Sequence, residues 1–304
     1  SDFPFAGIWL QKVAALNIGN DSHAANVFRD FALSEVPQAD GIRLHTSSAT
    51  ITNCSFLNFG VDNTNSALSN VEADCIYAYS LETVLPTVIV NNSSFENCYE
   101  DINTLGANLL VQDIISRRAV GSIRVRQANS SQNAFYCQIV NSQILDFKVR
   151  GIQLDLWKSV FLDISNNELS DRVDPLGPPR FGIIVRRSGS SPELINLSRG
   201  RVFNNDITMY AGLIGISFGI MLEDLSYLTV EQNTIQGVGA PSPISEFYGI
   251  RANQPCNGIR VLYNNFIGSG LGYTFACGIR WQESPNAIFQ CNNVDNINTG
   301  IAFF

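Results

Sequence analysis

The chain has 304 residues, 45% of them hydrophobic and 15% charged, with a formal net charge of −8. That is enough apolar material for a sizeable core. The scarcity of cations argues against nucleic acid or an anionic membrane surface as the main partner.

From the start the chain reads as copies of one two-part unit. The first part is Gly-Ile-x-apolar: Gly7-Ile8, Gly41-Ile42, Gly151-Ile152, Gly182-Ile183, Gly219-Ile220, Gly249-Ile250, Gly278-Ile279 and Gly300-Ile301, with Cys75-Ile76 and Ser122-Ile123 as small-residue variants. Apolar residues alternate with others in these copies, which is the period of a strand with one buried face. The second part is apolar-x-x-Asn-x-apolar, with Asn167, Asn205, Asn233, Asn264 and Asn292 in its Asn slot, and Cys54, Ser93 and Ser142 in earlier copies. Asn tolerates left-handed backbone and hydrogen-bonds main chain, so a bend is expected at this slot.

Coil one runs from Gly7 and contains an irregular region, Asn20 to Gln38. Coil two runs from Gly41 with a polar loop, Asp62 to Asn70. The third, from Cys75, extends through Asp101 to Asp113, where Leu109-Leu110-Val111 adds a strand. Regular coils follow from Ser122 and Gly151. Later insertions are Ser170 to Arg180, Ser188 to Gly200, and Gly237 to Glu246, in which Pro175, Pro178, Pro179, Pro241 and Pro243 mark loops. Units of about 30 residues, with no helical pattern and two or three short strands each, predict an all-β parallel β-helix solenoid of about nine coils; a propeller blade needs more. Residues 1–304 form one domain by this reading. A chain that opens on Gly7-Ile8 and stops inside Gly300-Ile301 reads as part of a longer polypeptide.

The seven cysteines are widely spaced with no CxxC, so they read as small apolar fillers and not as a metal site or disulfide framework. Two histidines make a His-based metal centre unexpected, and no cofactor is expected. Glu223-Asp224, Asp171 and Asp174 raise Ca²⁺, but no Asp-x-Asp-x-Asp loop supports it. Trp157 and Phe161 read as core or insertion packing, and Trp281 as inward-facing core. No run of about 18 apolar residues occurs, so no membrane span is expected, and no signal peptide is visible at Ser1.

The Gly-Ile and Asn-x-apolar copies resemble right-handed parallel β-helix repeat proteins of the pectin-lyase-like superfamily. In style they are most similar to large secreted or surface proteins of Bacteroidota-type bacteria exported by type IX secretion. The resemblance implies an extracellular or cell-surface location, and a partner in the rest of a longer polypeptide or in the secretion and surface machinery. The superfamily's polysaccharide enzymes carry motifs that this chain lacks: Asn103-Thr104-Leu105 and Asp174-Pro175-Leu176 are the nearest fragments, and each misses its acid or base.

Stacked Gly-Ile strands would place two outward columns on one face. Two residues after Gly come Trp9, Arg43, Tyr77, Arg124, Gln153, Ile184, Met221, Arg251 and Arg280. Four residues after come Gln11, His45, Tyr79, Arg126, Asp155, Arg186, Glu223, Asn253 and Gln282. Aromatic rings stack on sugars and guanidinium forks bind carboxylates, so Trp9, Arg43, Tyr77, Arg124, Arg186 and Glu223 are candidate polysaccharide-binding residues. If the chain is an enzyme, His45, Tyr79, Arg126 and Asp155 are the candidate catalytic group of a polysaccharide lyase or glycoside hydrolase. Arg126, Asp155, Arg186 and Glu223 also alternate in sign and would neutralise one another. With no enzyme motif present, the reading is a non-catalytic stalk, adhesin or glycan-contacting module.

Overall fold

A computed structural model describes residues 5–19, 26–29, 39–59, 73–132, 135–158, 160–172, 179–189, 194–211, 215–239, 245–253, 255–268, 275–282 and 285–303. The expected loop Asp62 to Asn70, Asp174, and Pro175, Pro178, Pro241 and Pro243 lie outside the described residues.

Every element among these residues is a strand, and the strands form three long sheets of 11, 10 and 10 members plus a two-stranded one. The chain visits sheet one, then two, then three, and returns to sheet one beside its own starting strand, always parallel. Sheet one runs Phe5–Gln11, Ala39–His45, Asp74–Tyr79, Glu100–Leu105, Gly121–Arg126 and onward to Thr299–Phe303. This is a parallel β-helix. No helix among the described residues is long and apolar enough to cross a membrane.

The stack has ten coils and an eleventh strand in sheet one, where counting repeats leads to about nine. The added coil is Glu100–Leu105, Asn108–Gln112 and Ile115–Arg117, in the stretch that reads as an extension of the Cys75 coil. Its repeat is concealed because Asp101 fills the Gly slot and Ser116 stands where Phe95 and Ile144 flank it in the neighbouring coils. The expected Ser188 to Gly200 insertion contains Ile195–Asn196, which pairs with Leu225–Ser226 as the small fourth sheet.

Crowding explains the glycine. A Cβ on Gly219 would stand 2.3 Å from Ile235 Cγ2 and 2.6 Å from the Gly249 carbonyl oxygen; on Gly249 it would stand 2.4 Å from the Phe266 ring. The residue at this slot therefore faces the interior, and so does the isoleucine after it, from Ile42 through Ile279. Two consecutive inward residues break the strict alternation and turn the residue before the slot outward.

The Asn slot builds a continuous amide ladder. Asn167, Asn205, Asn233 and Asn264 each donate Nδ2 to the next coil's Asn Oδ1 at 2.9, 2.9, 2.9 and 3.0 Å. The same acceptor takes the backbone N–H, as from Asn233 to Asn264 Oδ1 at 3.0 Å. Earlier coils use hydroxyls: Cys54 N donates to Ser93 Oγ and Ile114 N to Ser142 Oγ. The left-handed bend lies one residue earlier than expected, on Asn92, Asn141, Asn166, Asn204, Gln232 and Tyr263, so the slot Asn serves through its amide and not its backbone.

Two stability predictions follow from the slots. Asn233→Ala strands buried donors on Asn205, costing about 2 kcal/mol in urea denaturation, and Asn233→Ser costs less because serine already fills this slot elsewhere. Gly219→Ala costs roughly 1–3 kcal/mol by overpacking. Gly300→Ala, whose Cβ would meet only Val294 Cγ2 at 3.9 Å, stays within about 0.5 kcal/mol.

Candidate functional site on the outer face of sheet one

The double inward step gives sheet one three outward columns instead of two. The third, just before the slot, reads Ala6, Asp40, Asp74, Glu100, Gly121, Arg150, Phe181, Phe218, Tyr248. Asp40 and Asp74 follow from register, since Ile42 pairs Ile76 two residues on. The column divides the face. Its first part is acidic, closed by an ion pair of Arg150 with Glu100 that reaches over Gly121. Its second part is a stack of Phe181, Phe218 and Tyr248 with centroids 4.9 and 5.4 Å apart. Arg251 and Arg280 lie over these rings at 5.3 to 5.4 Å.

In the acidic part, Asp40, Arg43, Asp74, Tyr77, Asn103, Leu105 and Arg126 line a cleft of about 170 Å³. Arg43 Nη1 donates to Asp40 Oδ2 at 3.0 Å, and its guanidinium lies 5.0 Å over the Tyr77 ring. Asn103 Nδ2 donates to Asp74 Oδ2 at 3.0 Å, and Arg126 Nη2 donates to Asn103 Oδ1 at 3.0 Å. Asp40 is held by Arg43 of its own strand, and Asp74, Asn103 and Arg126 by one another across neighbouring strands, so the cleft is preorganised. Burial pushes the Asp40 carboxyl up to about 6, partly offset by Arg43 and by the Asp74 backbone N–H. Burial also pushes Tyr77 up and Arg126 down.

The predicted columns meet a changed register. Asn103 stands between Tyr77 and Arg124, and Leu105 between Tyr79 and Arg126, so neither expected pair is adjacent. His45 and Tyr79 are neighbours, with ring centroids 5.5 Å apart. Trp9 flanks Arg43 and is 46% exposed. Asp155 is buried and fully engaged: Gln153 Nε2 donates to its two oxygens at 3.0 and 2.8 Å, Arg186 Nε at 2.5 Å, and Arg124 lies at 3.7 Å. Of the expected alternating ion pairs, Arg186 with Asp155 forms. Arg126 turns to Asn103, and Glu223 accepts from Asn253 Nδ2 at 3.3 Å.

Asp40, Asp74 and Asn103 were not among the sequence candidates. Their signal is an acid immediately before the slot in three successive coils, Asp40-Gly41, Asp74-Cys75 and Glu100-Asp101. Phe161 is not core: it is 41% exposed and stacks on Tyr136 at 4.8 Å on sheet two, beside the Arg201 and Asp163 pair. Trp281 is buried as expected. Six cysteines are buried and Cys291 is exposed, but Cys75 and Cys98 meet Asp101 in the interior, a juxtaposition that their spacing conceals.

No protein-family model matches the chain, and no curated protein matches its sequence. Among solved structures, the surface protein and adhesin PfbA of Streptococcus pneumoniae is similar over 98% of this chain and 83% of its own, at 12% identity and a TM-score of 0.49.

Asp40 makes stability depend on pH in a defined direction. Its carboxyl titrates near 6 in the fold and near 3.9 unfolded, so between these values the folded chain holds the extra proton. Its contribution is fully present below about pH 4 and is lost as pH rises through 6, at roughly 1.4 kcal/mol per pH unit for one proton. Burial raises Asp101 and Asp171 to about 7 as well, so urea denaturation from pH 4 to 7 should show the wild-type slope reduced by one proton's share in Asp40→Asn, with the variant at least as stable as wild type at pH 7.

Proposed function

We propose that the chain is a rigid extracellular or cell-surface β-helix module that contacts a glycan through the sheet-one cleft. The observation that carries this is the convergence of the Tyr77 ring, the Arg43 and Arg126 guanidiniums, the Asn103 amide and the Asp40 and Asp74 carboxylates in one preorganised groove. Carboxylates accept from sugar hydroxyls, and guanidinium and amide groups donate to ring and hydroxyl oxygens. The exposed Trp9 two strands before Tyr77 extends the groove with a further ring for stacking. An acidic polysaccharide would set its carboxylate against Arg126. Display outside the cell, attachment to a longer polypeptide and a type IX route belong to the same proposal and rest on repeat style alone.

A second reading, glycoside hydrolysis, is favoured by one observation. Asp40 and Asp74 sit on neighbouring strands, and Asp40 carries a raised pKa suited to a general acid. Neighbouring strands lie about 4.8 Å apart, close to the separation of roughly 5 Å used by retaining enzymes. A lyase through Asp155 is less favoured, because its carboxylate is already occupied by Arg186, Arg124 and Gln153.

Binding and turnover should be measured on a panel of neutral and uronate-containing polysaccharides. The expected result is binding without product, weakened at least about tenfold by Arg126→Ala, the scale of one lost charge-assisted hydrogen bond. New reducing ends that vanish in Asp40→Asn would instead establish the hydrolase. Binding that is indifferent to Arg126→Ala and Tyr77→Ala would move the site elsewhere.

A further inference from the structure

Within the solenoid, beneath the cleft, the repeat departs from itself at several interior positions together. The slot that holds Gly41, Gly151, Gly182 and Gly219 elsewhere holds Cys75, Asp101 and Ser122 in three successive coils. The column of Phe56, Phe95, Ile144 and Leu169 is interrupted by Ser116. Cys98 fills the corner three residues after Phe95, as Phe59 does three residues after Phe56. All five polar or thiol residues are buried, and Asp101 is 0% exposed. Polar groups in a dry core cost several kcal/mol unless partnered, so their concentration at one level requires an occupant or a closed network.

The network is incomplete. Ser116 Oγ donates to Asp101 Oδ2 at 2.5 Å, and the Ser116 and Ser122 hydroxyls lie 2.8 Å apart. The Ser122 hydroxyl and the Cys98 thiol also face the Asp101 carboxyl, and that thiol lies 3.5 Å from the Glu96 carbonyl oxygen, but no N–H or O–H group among the described residues donates to Asp101 Oδ1 in hydrogen-bond geometry. Ligand atoms of Cys75, Cys98 and Asp101 all lie within 4.8 Å of one another.

We propose that Cys75, Cys98 and Asp101 bind one Zn²⁺-class cation inside the solenoid, with Ser116 orienting the carboxylate. Two thiolates select a borderline-soft cation over Ca²⁺ or Mg²⁺. Zn–S near 2.3 Å and Zn–O near 2.1 Å put tetrahedral ligands about 3.5 Å apart, so the donors need close by only about 1 Å. Two thiolates, one carboxylate and Zn²⁺ leave a net charge of −1, the same as a three-cysteine, one-histidine structural site. Asp101 chelating through Oδ1 and Oδ2 completes a four-donor site distorted from the regular tetrahedron by the short bite of the carboxylate, and Ser116 is the outer partner that metal-bound carboxylates require. All three ligand residues are 0% exposed, so the cation enters as the coils close, and the thiol and carboxyl protons pass to water.

The test uses the full chain in a Cys291→Ser background, which removes the exposed thiol. Refolding with Zn²⁺ followed by desalting should leave roughly one Zn²⁺ per chain, as expected of a co-folding structural site. Refolding with Co²⁺ should give a thiolate-to-cobalt charge-transfer band and tetrahedral visible bands. Both signals should be lost in Cys75→Ser with Cys98→Ser, whereas Asp101→Asn should keep the charge-transfer band and weaken retention. If the double variant does not fold, the unsubstituted pair still decides by stoichiometry and spectrum. Folded protein that carries no metal overturns the proposal, and so does an intact mass short by two hydrogens from a Cys75 to Cys98 disulfide.

Discussion

Where a coil passes from sheet three back to sheet one, as at Gly182, Gly219 and Gly249, the slot leaves no space for a side chain, and much of the molecule depends on that crowding. With the slot and the next residue both turned inward, as at Gly219 and Ile220, the residue before them must face out. That step lets Asp40 meet Arg43 three residues later, and places Phe218 and Tyr248 beneath Arg251. The chemistry of the outer face is therefore a consequence of steric pressure in the interior. A strand with strict alternation would bury Asp40 and Asp74 in the core, where an ionised carboxylate could not be held without a partner.

The second corner is governed by hydrogen bonding, and it divides the solenoid along its length. From Asn167 to Asn292 an unbroken amide ladder links each slot to the next. Between Cys54 and Ser142 the slot holds a thiol, hydroxyls and, at Ile114, no polar side chain at all, which offer fewer bonds per coil, as at Cys54, whose Sγ lies 3.5 Å from the Thr52 carbonyl oxygen. In a quasi-one-dimensional stack, stability is a sum of each coil and its neighbour contacts. The polar cleft and the buried Cys75, Cys98 and Asp101 group both lie in the weaker half. Polar substitutions there reduce repeat regularity, and the side-chain pairs that the amide ladder would otherwise supply are replaced by specific ones such as Asn103 with Asp74.

What was legible in the sequence is what one physical demand imposes at every coil. Gly-Ile and Asn-x-apolar recur because the same clash and the same unpaired amide recur, so the all-β solenoid could be read from them. The coil at Glu100–Leu105 was not legible, because Asp101 and Ser116 replace the two residues by which a coil is recognised. Omitting that coil shifted every cross-strand neighbour between Tyr77 and Arg124. The acid column was missed for a different reason: period-two alternation assigns Asp40 and Asp74 to the interior, and only the three-dimensional corner shows otherwise. The left-handed residue was displaced by one for a related reason, since Asn can serve a turn through its backbone or through its amide, and composition does not separate the two.

The added coil also changes which chemistry the face can support. With Leu105 between Tyr79 and Arg126, the predicted base and the predicted electrostatic partner are separated by two strand spacings, roughly 9.6 Å between backbones. An enolate-stabilising Arg must lie within hydrogen-bond reach of the same sugar carboxylate whose neighbouring carbon loses its proton. That separation exceeds the length of one sugar unit, so the two groups act on different residues of a bound chain. Arg126 instead joins Asn103, one strand from Tyr77, and through it Asp74 on the strand of Tyr77 itself, so the functional centre moves toward the start of the solenoid. There the groups form a compact set in which carboxylates and guanidiniums are equal in number, Asp40 and Asp74 against Arg43 and Arg126. A balanced set favours a hydroxyl-rich ligand over a highly charged one, because no net field is left to reward a dense anion.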